Sequence, residues 1–243
     1  MFNRITLRDI VDYKRQCIQS LKLKPATINR RLVSLRSMCR VATELGKMKA
    51  NPVEKVKLLP LQALAPKGLS KQELRRLLKE VELRGNLRDQ LIIELMCGAG
   101  LRVSELANME VDDVHLSERK GFVNVRYAKG GKTRKVPLNQ AIRSLMREHL
   151  EQSKPDERVF VGQRGDLTNI AFNKVVEVYA SKAQIKCSPH TLRHTFAYNY
   201  LEKNNGDLVG LGTLLGHSNI NTTAIYTQHR LEDLQERVEG VLE

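Results

Sequence analysis

Apolar residues recur at helical spacing near the start of the chain. In LRDIVDYKRQCIQSL they are Leu7, Ile10, Val11, Cys17, Ile18 and Leu21, a pattern that marks one face of an α-helix. PATINRRLVSLRSMCRVATELG repeats it, with Pro25 and Thr27 at its start and Gly46 as a stop signal. Pro52, Pro60 and Pro66 then break the periodicity, and residues 58–67 read as a linker. LSKQELRRLLKEV restarts the helical pattern, with Ser70 as N-cap and Glu73 completing a capping box. The pattern continues through RDQLIIELMCGAG and RVSELANM. One stretch departs from it: GFVNVRYA alternates, KGGK turns and TRKVPL returns, which predicts a hairpin. Further helices are predicted near 140–152, 169–184, 191–204, 207–215, 222–226 and 231–242. The sequence therefore predicts a mainly α fold with a small antiparallel β insertion. It divides into a helical domain over 1–57, a linker over 58–67 and a second domain over 68–243.

Charge narrows the partner. The chain has 243 residues, 41 Lys plus Arg against 27 Asp plus Glu, and a net charge of +14. Such an excess suits a polyanion, because each neutralised phosphate releases condensed counterions. There is no Trp, and aromatic residues make up 5%. That argues against single-strand binding by base stacking and for duplex DNA. Within the second predicted helix Arg30, Arg31, Arg36 and Arg40 occupy positions off the apolar stripe, as a helix laid against DNA requires. No apolar run approaches the roughly 18 residues of a membrane span, and the charged N-terminus lacks the apolar core of a signal peptide. Cys17, Cys39, Cys97 and Cys187 are scattered without a CxxC pair, as in a reduced cytoplasmic protein without a zinc site. No membrane partner is expected.

Two familiar motifs fail. GGKT would need glycine at position 126 to complete a phosphate-binding loop; Arg126 stands there, and a strand rather than a helix follows Thr133. His190 and His194 are spaced as helical metal ligands, but no acidic residue lies between them and no third ligand is evident. Neither a metal nor a cofactor is expected.

Basic residues collect at element ends instead. Arg102 follows the GAG bend, and Lys129 sits at the hairpin tip. His190 and Arg193 share one helical face. His217 lies at a helix-ending glycine, and Tyr226 follows nine residues later. Two guanidiniums, a lysine, two imidazoles and a phenol suit metal-free phosphoryl transfer. Guanidiniums offset the charge on non-bridging oxygens, a phenol can attack phosphorus, and a lysine can protonate the leaving oxygen.

GAGLRVSEL, KGGKTRKVPL, SPHTLRHTFA and LLGHSNINTTAIYT resemble, in order and spacing, the signature boxes of the tyrosine recombinase (phage integrase) family. The Xer recombinases, transposon-encoded resolvases and small integrases are the most similar subgroups. The resemblance implies a two-domain architecture, with a helical core-binding domain ahead of a mixed α/β catalytic domain. It implies that Tyr226 is the nucleophile of a site-specific DNA recombinase, forming a 3′-phosphotyrosyl link and proceeding through a Holliday junction. Arg102 and Arg193 would clamp the phosphate, Lys129 would protonate the 5′-oxygen, His190 would assist proton transfer, and His217 would bind phosphate. Lys132, in the same turn, rivals Lys129; otherwise Lys132 and Arg134 would contact DNA from the hairpin. Glu105, one turn after Arg102, would orient an arginine. The working assembly implied is a homotetramer on paired sites, a dimer on each, with an accessory protein or a partner recombinase as further candidates. The family's N-terminal domain usually has four helices, and about two are missing upstream of Ile5, as in a trimmed chain or a shortened member.

The tail LEDLQERVEGVLE carries Leu231, Leu234, Val238, Val241 and Leu242 as an apolar stripe. Such a stripe must be buried, against its own domain or, as the resemblance implies, in a neighbouring protomer. Two other readings stand beside recombination: a type IB topoisomerase, which shares the chemistry, and a non-catalytic duplex-binding regulator.

Overall fold

The computed structural model describes residues 5–61, 67–126, 133–151, 157–162, 165–217 and 221–227. Residues 62–66 of the expected linker, the hairpin tip with Lys129 and Lys132, and the tail with its apolar stripe lie outside them. The chain divides into two compact units, residues 1–64 and 65–243.

The first unit is built on α1 (Leu7–Gln19) and α2 (Pro25–Glu44). Thr6 caps α1 through the Asp9 amide, and the Asp9 carboxylate caps the Thr6 amide in return. Pro25 opens α2, where its missing N–H costs nothing. Ile10, Cys17, Ile28, Leu32 and Cys39 form a core with Met48, Val53 and Val56 from the segment after α2. Asn29 pins that segment from both sides: its Nδ2 donates to the Leu59 carbonyl and its Oδ1 accepts from the Leu59 amide, each at 2.8 Å. The apolar stripe predicted for α1 is only partly used. Ile10 and Cys17 are buried, while Leu7, Val11, Ile18 and Leu21 are exposed.

The second unit runs α3 (Lys71–Arg84), α4 (Leu87–Gly98), α5 (Val103–Ala107), β1 (Val114–Leu116), β2 (Gly121–Val125), β3 (Arg134–Pro137), α6 (Gln140–Leu150), β4 (Val161–Gly162), β5 (Gly165–Asp166), α7 (Asn169–Lys182), α8 (Pro189–Lys203), α9 (Leu208–Leu215) and α10 (Asn221–Ala224). A 3-10 turn, Ile225–Thr227, follows. α4 is the centre. Leu91, Ile92, Ile93, Leu95 and Met96 are all fully buried, so the helix is apolar on nearly every side and is packed by α3, α6, α7 and α8.

β1, β2 and β3 form an antiparallel sheet in that order, with Val123 opposite both Val114 and Val136. Val123, Val125 and Val136 point into the core, as the alternation of GFVNV predicts. β1 and the two-residue strands β4 and β5 were not visible in the sequence, because two or three residues are too few to show a period. Among the described residues no helix is long and apolar enough to cross a membrane.

Two helix ends matter for the site. Ser188 caps α8 with a reciprocal bond to Thr191, and Pro189 takes the first helical position. This places His190 and Arg193 in the first turns. α9 ends at Gly216 in the left-handed backbone conformation (φ 64°), which residues with side chains adopt only rarely. A Cβ there would lie 2.9 Å from Nη1 of Arg134.

Candidate active site

Arg193 is the anchor. α8 carries it into the interior, where it is 5% exposed. Its Nη1 donates to the Gly100 carbonyl, and its Nη2 donates to the Leu215 carbonyl at 2.7 Å. One side chain thus joins the bend after α4, α8 and the end of α9. Gly100 is required at that bend: its φ is 66°, and a Cβ would collide with the Phe196 ring. Burial, then the neighbouring Arg102 charge, depresses the Arg193 guanidinium to about 10.

Glu105 gathers two further guanidiniums. Arg102, at the N-cap of α5, donates Nη1 to Glu105 Oε1 at 2.7 Å and its amide to Oε2 at 2.9 Å. Arg134, on β3, reaches both carboxylate oxygens at 2.9 Å and donates Nε to the Leu214 carbonyl at 2.7 Å. Burial pushes the Glu105 carboxyl up. Hydrogen bonds and charge from Arg134, then Arg102, outweigh this and hold it below the usual carboxylate range. The RxxE spacing put Glu105 one turn from Arg102, and the carboxylate does orient that arginine.

Arg102 and Arg134 thus share the Glu105 carboxylate, while Arg193 feels its charge only through space, and the three guanidiniums leave the site electropositive. His217 feels all of them. Its pKa is depressed to about 4 by burial, then by Arg193, Arg102 and Arg134. The ring is neutral, so Nε2 accepts from Arg193 Nη2 at 3.4 Å while Nδ1 donates to the buried Thr223 hydroxyl at 2.9 Å. The sign of the linkage follows. The folded value lies below the ordinary 6.5, so the unfolded chain takes up its proton first as pH falls; the stability contribution is full above 6.5 and is lost as pH falls toward about 4. NMR titration of the free protein is expected to show His217 changing charge near pH 4, and a midpoint near 6.5 would contradict this geometry.

Tyr226 sits in the 3-10 turn and is 8% exposed. It packs with Ala197, Leu201, Leu211 and Leu215, and Tyr198 meets its ring edge-on, with centroids 5.3 Å apart at 90°. Its hydroxyl bonds Nδ1 of His194 at 2.7 Å. Burial raises the phenol, and Arg193 and then Arg102 act against it. His190 is exposed and lines a pocket of about 270 Å³ with Arg102, Ser104, Asn169, Asn173 and Arg193.

The fold thus brings Arg102, His190, Arg193, His217 and Tyr226 together, while Lys129 and Lys132 lie outside the described residues. Two arginines expected at the DNA surface are engaged inside the protein. Arg134 holds Glu105, with its side chain 8% exposed. Arg36 donates Nη2 to the Val56 carbonyl at 2.7 Å and Nε to the Val53 carbonyl, fastening α2 to the segment after it. The reason is angular: Arg36 points toward residues 53–56, whereas Arg30, Arg31 and Arg40 are exposed. Sequence reasoning weighed His194 only as a metal ligand and missed its contact with Tyr226. Its signal was the i, i+4 spacing from His190.

A family model, the phage integrase family, matches residues 67–232. Among curated proteins, tyrosine recombinase XerA of Pyrococcus furiosus is 38% identical over 179 residues, 72% of this chain and 61% of that protein. Tyrosine recombinase XerD of Listeria monocytogenes is 34% identical over 249 aligned positions, 96% of this chain and 82% of that protein. Solved structures share the fold. XerH site-specific recombinase, bound to its difH substrate before cleavage, superposes with a TM-score of 0.76 at 24% identity over 99% of this chain and 72% of that one. XerA recombinase gives a TM-score of 0.61 at 26% identity over 99% and 85%. With the family model covering more than half of its length, the chain belongs to the phage integrase family of tyrosine recombinases.

Proposed function

We propose that the protein is a site-specific recombinase that cleaves and rejoins duplex DNA through a 3′-phosphotyrosyl intermediate and a Holliday junction. The observation that carries this reading is the pairing of Arg102 and Arg134 with the Glu105 carboxylate beside the buried Arg193, with Arg193 and Arg102 in electrostatic reach of the Tyr226 phenol. The unbalanced positive charge suits a phosphodiester, whose charge grows as the phenol attacks. In this reading Arg102 and Arg193 stabilise the non-bridging oxygens, and His217 binds one of them in its other tautomer, with Nε2–H donating to the phosphate and the Thr223 hydroxyl donating to Nδ1. His190 assists proton transfer from the pocket beside the arginines, and Lys129, from the hairpin motif, protonates the 5′-oxygen. Glu105 and Arg134 hold the clamp in place. The guanidiniums supply the electrostatic stabilisation that a metal ion would otherwise give, so the reaction is metal-independent. Arg30, Arg31 and Arg40 would meet the DNA backbone from the first unit. A tetramer on paired sites, with the tail docking in a neighbouring protomer, completes the proposal.

The test is a supercoiled plasmid carrying two marked copies of the protein's site, recovered by selection from random duplexes, and incubated in EDTA. Four-way junctions and rearranged plasmids are expected. Relaxation without crossover would point to a topoisomerase, binding without cleavage to a regulator, and a strict need for Mg²⁺ would contradict the metal-independent step.

A further inference from the structure

The Tyr226 phenol has a partner that the sequence motifs did not assign. Its Oη lies 2.7 Å from Nδ1 of His194, with ring centroids 5.6 Å apart. His194 follows Arg193 directly on α8, so the helix turn that fixes the guanidinium also fixes this imidazole. His190, one turn earlier, has different neighbours. Its ring centre is 6.5 Å from that of His194, and it lines the pocket beside Arg102 and Arg193. One imidazole faces the pocket, and the other faces the phenol.

We propose that His194 is the base that takes the phenolic proton when Tyr226 attacks phosphorus. The assignment rests on the reading of Tyr226 as nucleophile. In the step, the Oη–H bond breaks and its proton passes to Nδ1. The Oη electron pair forms the bond to phosphorus, the P–O5′ bond breaks, and the leaving oxygen takes a proton from the lysine of the hairpin. On rejoining, the 5′-hydroxyl returns its proton to the lysine as it attacks phosphorus, the Oη–P bond breaks, and the proton on Nδ1 returns to Oη.

The local charges suit a transient acceptor. Burial, then the positive fields of His190 and Arg193, hold the His194 pKa below its ordinary value, so the ring is neutral at pH 7 and offers the Nδ1 lone pair. The groups facing it among the described residues are His190 and Arg193 on its own helix and Tyr226 from the C-terminal segment. With the phenol raised by burial, the proton stays on Oη at rest. It moves only as the charge of that oxygen passes into the new bond, as general-base catalysis requires.

Two variants separate proton transfer from mere positioning. His194→Asn keeps a polar atom near the Nδ1 position but cannot hold a proton there. His194→Phe removes both. DNA affinity and thermal unfolding are compared with wild type first, and the Asn variant carries the test if the Phe variant does not fold. Single-turnover adduct formation on a nicked site is then followed from about pH 5 to about pH 9, the range that spans imidazole titration. Both variants are expected to form the adduct about 10²- to 10⁴-fold more slowly. The acidic limb of the wild-type profile, where His194 becomes protonated, should vanish in the Asn variant. If the Asn variant keeps that limb, whatever its rate, or reacts as fast as wild type, the base lies elsewhere and the proposal is overturned. A wild-type protein that forms no adduct overturns the nucleophile reading itself, which the variants alone would not do.

Discussion

Tyr226→Phe should bind DNA with an affinity within about two-fold of wild type and form no covalent adduct. The change removes one oxygen from a ring that is otherwise held by Tyr198 and the apolar cluster of α8 and α9. It leaves all three guanidiniums in place, so the electrostatic attraction for phosphate is kept. The lost bond to His194 should cost about 1 kcal/mol of stability, a shift that thermal unfolding reads directly. Denaturing gels after incubation with a nicked duplex check the chemistry. An adduct that survives in this variant means that another group attacks phosphorus.

Arg193→Ala should lose both cleavage and stability. The guanidinium is proposed to stabilise the transition-state charge, and removal of one such donor costs about 10²- to 10³-fold in rate. It also satisfies the carbonyls of Gly100 and Leu215, which lie on different elements. Leaving those groups without a partner should cost about 1–3 kcal/mol each. Arg193→Lys keeps the charge, but a single ammonium cannot reproduce the planar fork that reaches both carbonyls and His217. Lysine should therefore recover part of the stability and little of the rate. Single-turnover cleavage and thermal melts separate the two losses; a lysine variant that cleaves within ten-fold of wild type, on the order of 1.4 kcal/mol, would contradict a positioned clamp.

The sequence carried most of the helices because their signals are local. Ser70 with Glu73, Pro25 and Gly46 mark ends that the backbone obeys, and the alternation of GFVNV names the buried face of β2. It did not carry β1, β4 or β5, where two or three residues acquire strand geometry only by pairing with neighbours. The site divides in the same way. Arg102, His190, Arg193, His217 and Tyr226 stand in motifs, and the fold brings them together. Arg134 read as one more basic residue on a hairpin. Its commitment to Glu105 joins positions 29 residues apart, and its bond to Leu214 spans 80. Arg36 likewise serves carbonyls 17 and 20 residues away. Charge composition can predict a polyanion partner, but it cannot separate the arginines that meet it from those that hold the protein together. His194 escaped for a related reason. Its partner is 32 residues downstream, and only the packing of α8 against the segment that follows α9 brings the imidazole to the phenol.

The central claim is that Tyr226 joins covalently to a DNA 3′-phosphate, and peptide mapping of the trapped complex tests it most directly. The protein is incubated in EDTA with a nicked duplex whose cut releases a short fragment and prevents rejoining. The adduct is then digested with protease and nuclease, and the modified peptide is sequenced by mass spectrometry. The account predicts a nucleotide linked through its 3′-phosphate to the peptide that contains Tyr226, with a free 5′-hydroxyl on the released strand. A link to any other residue, or to a 5′-phosphate, would contradict it.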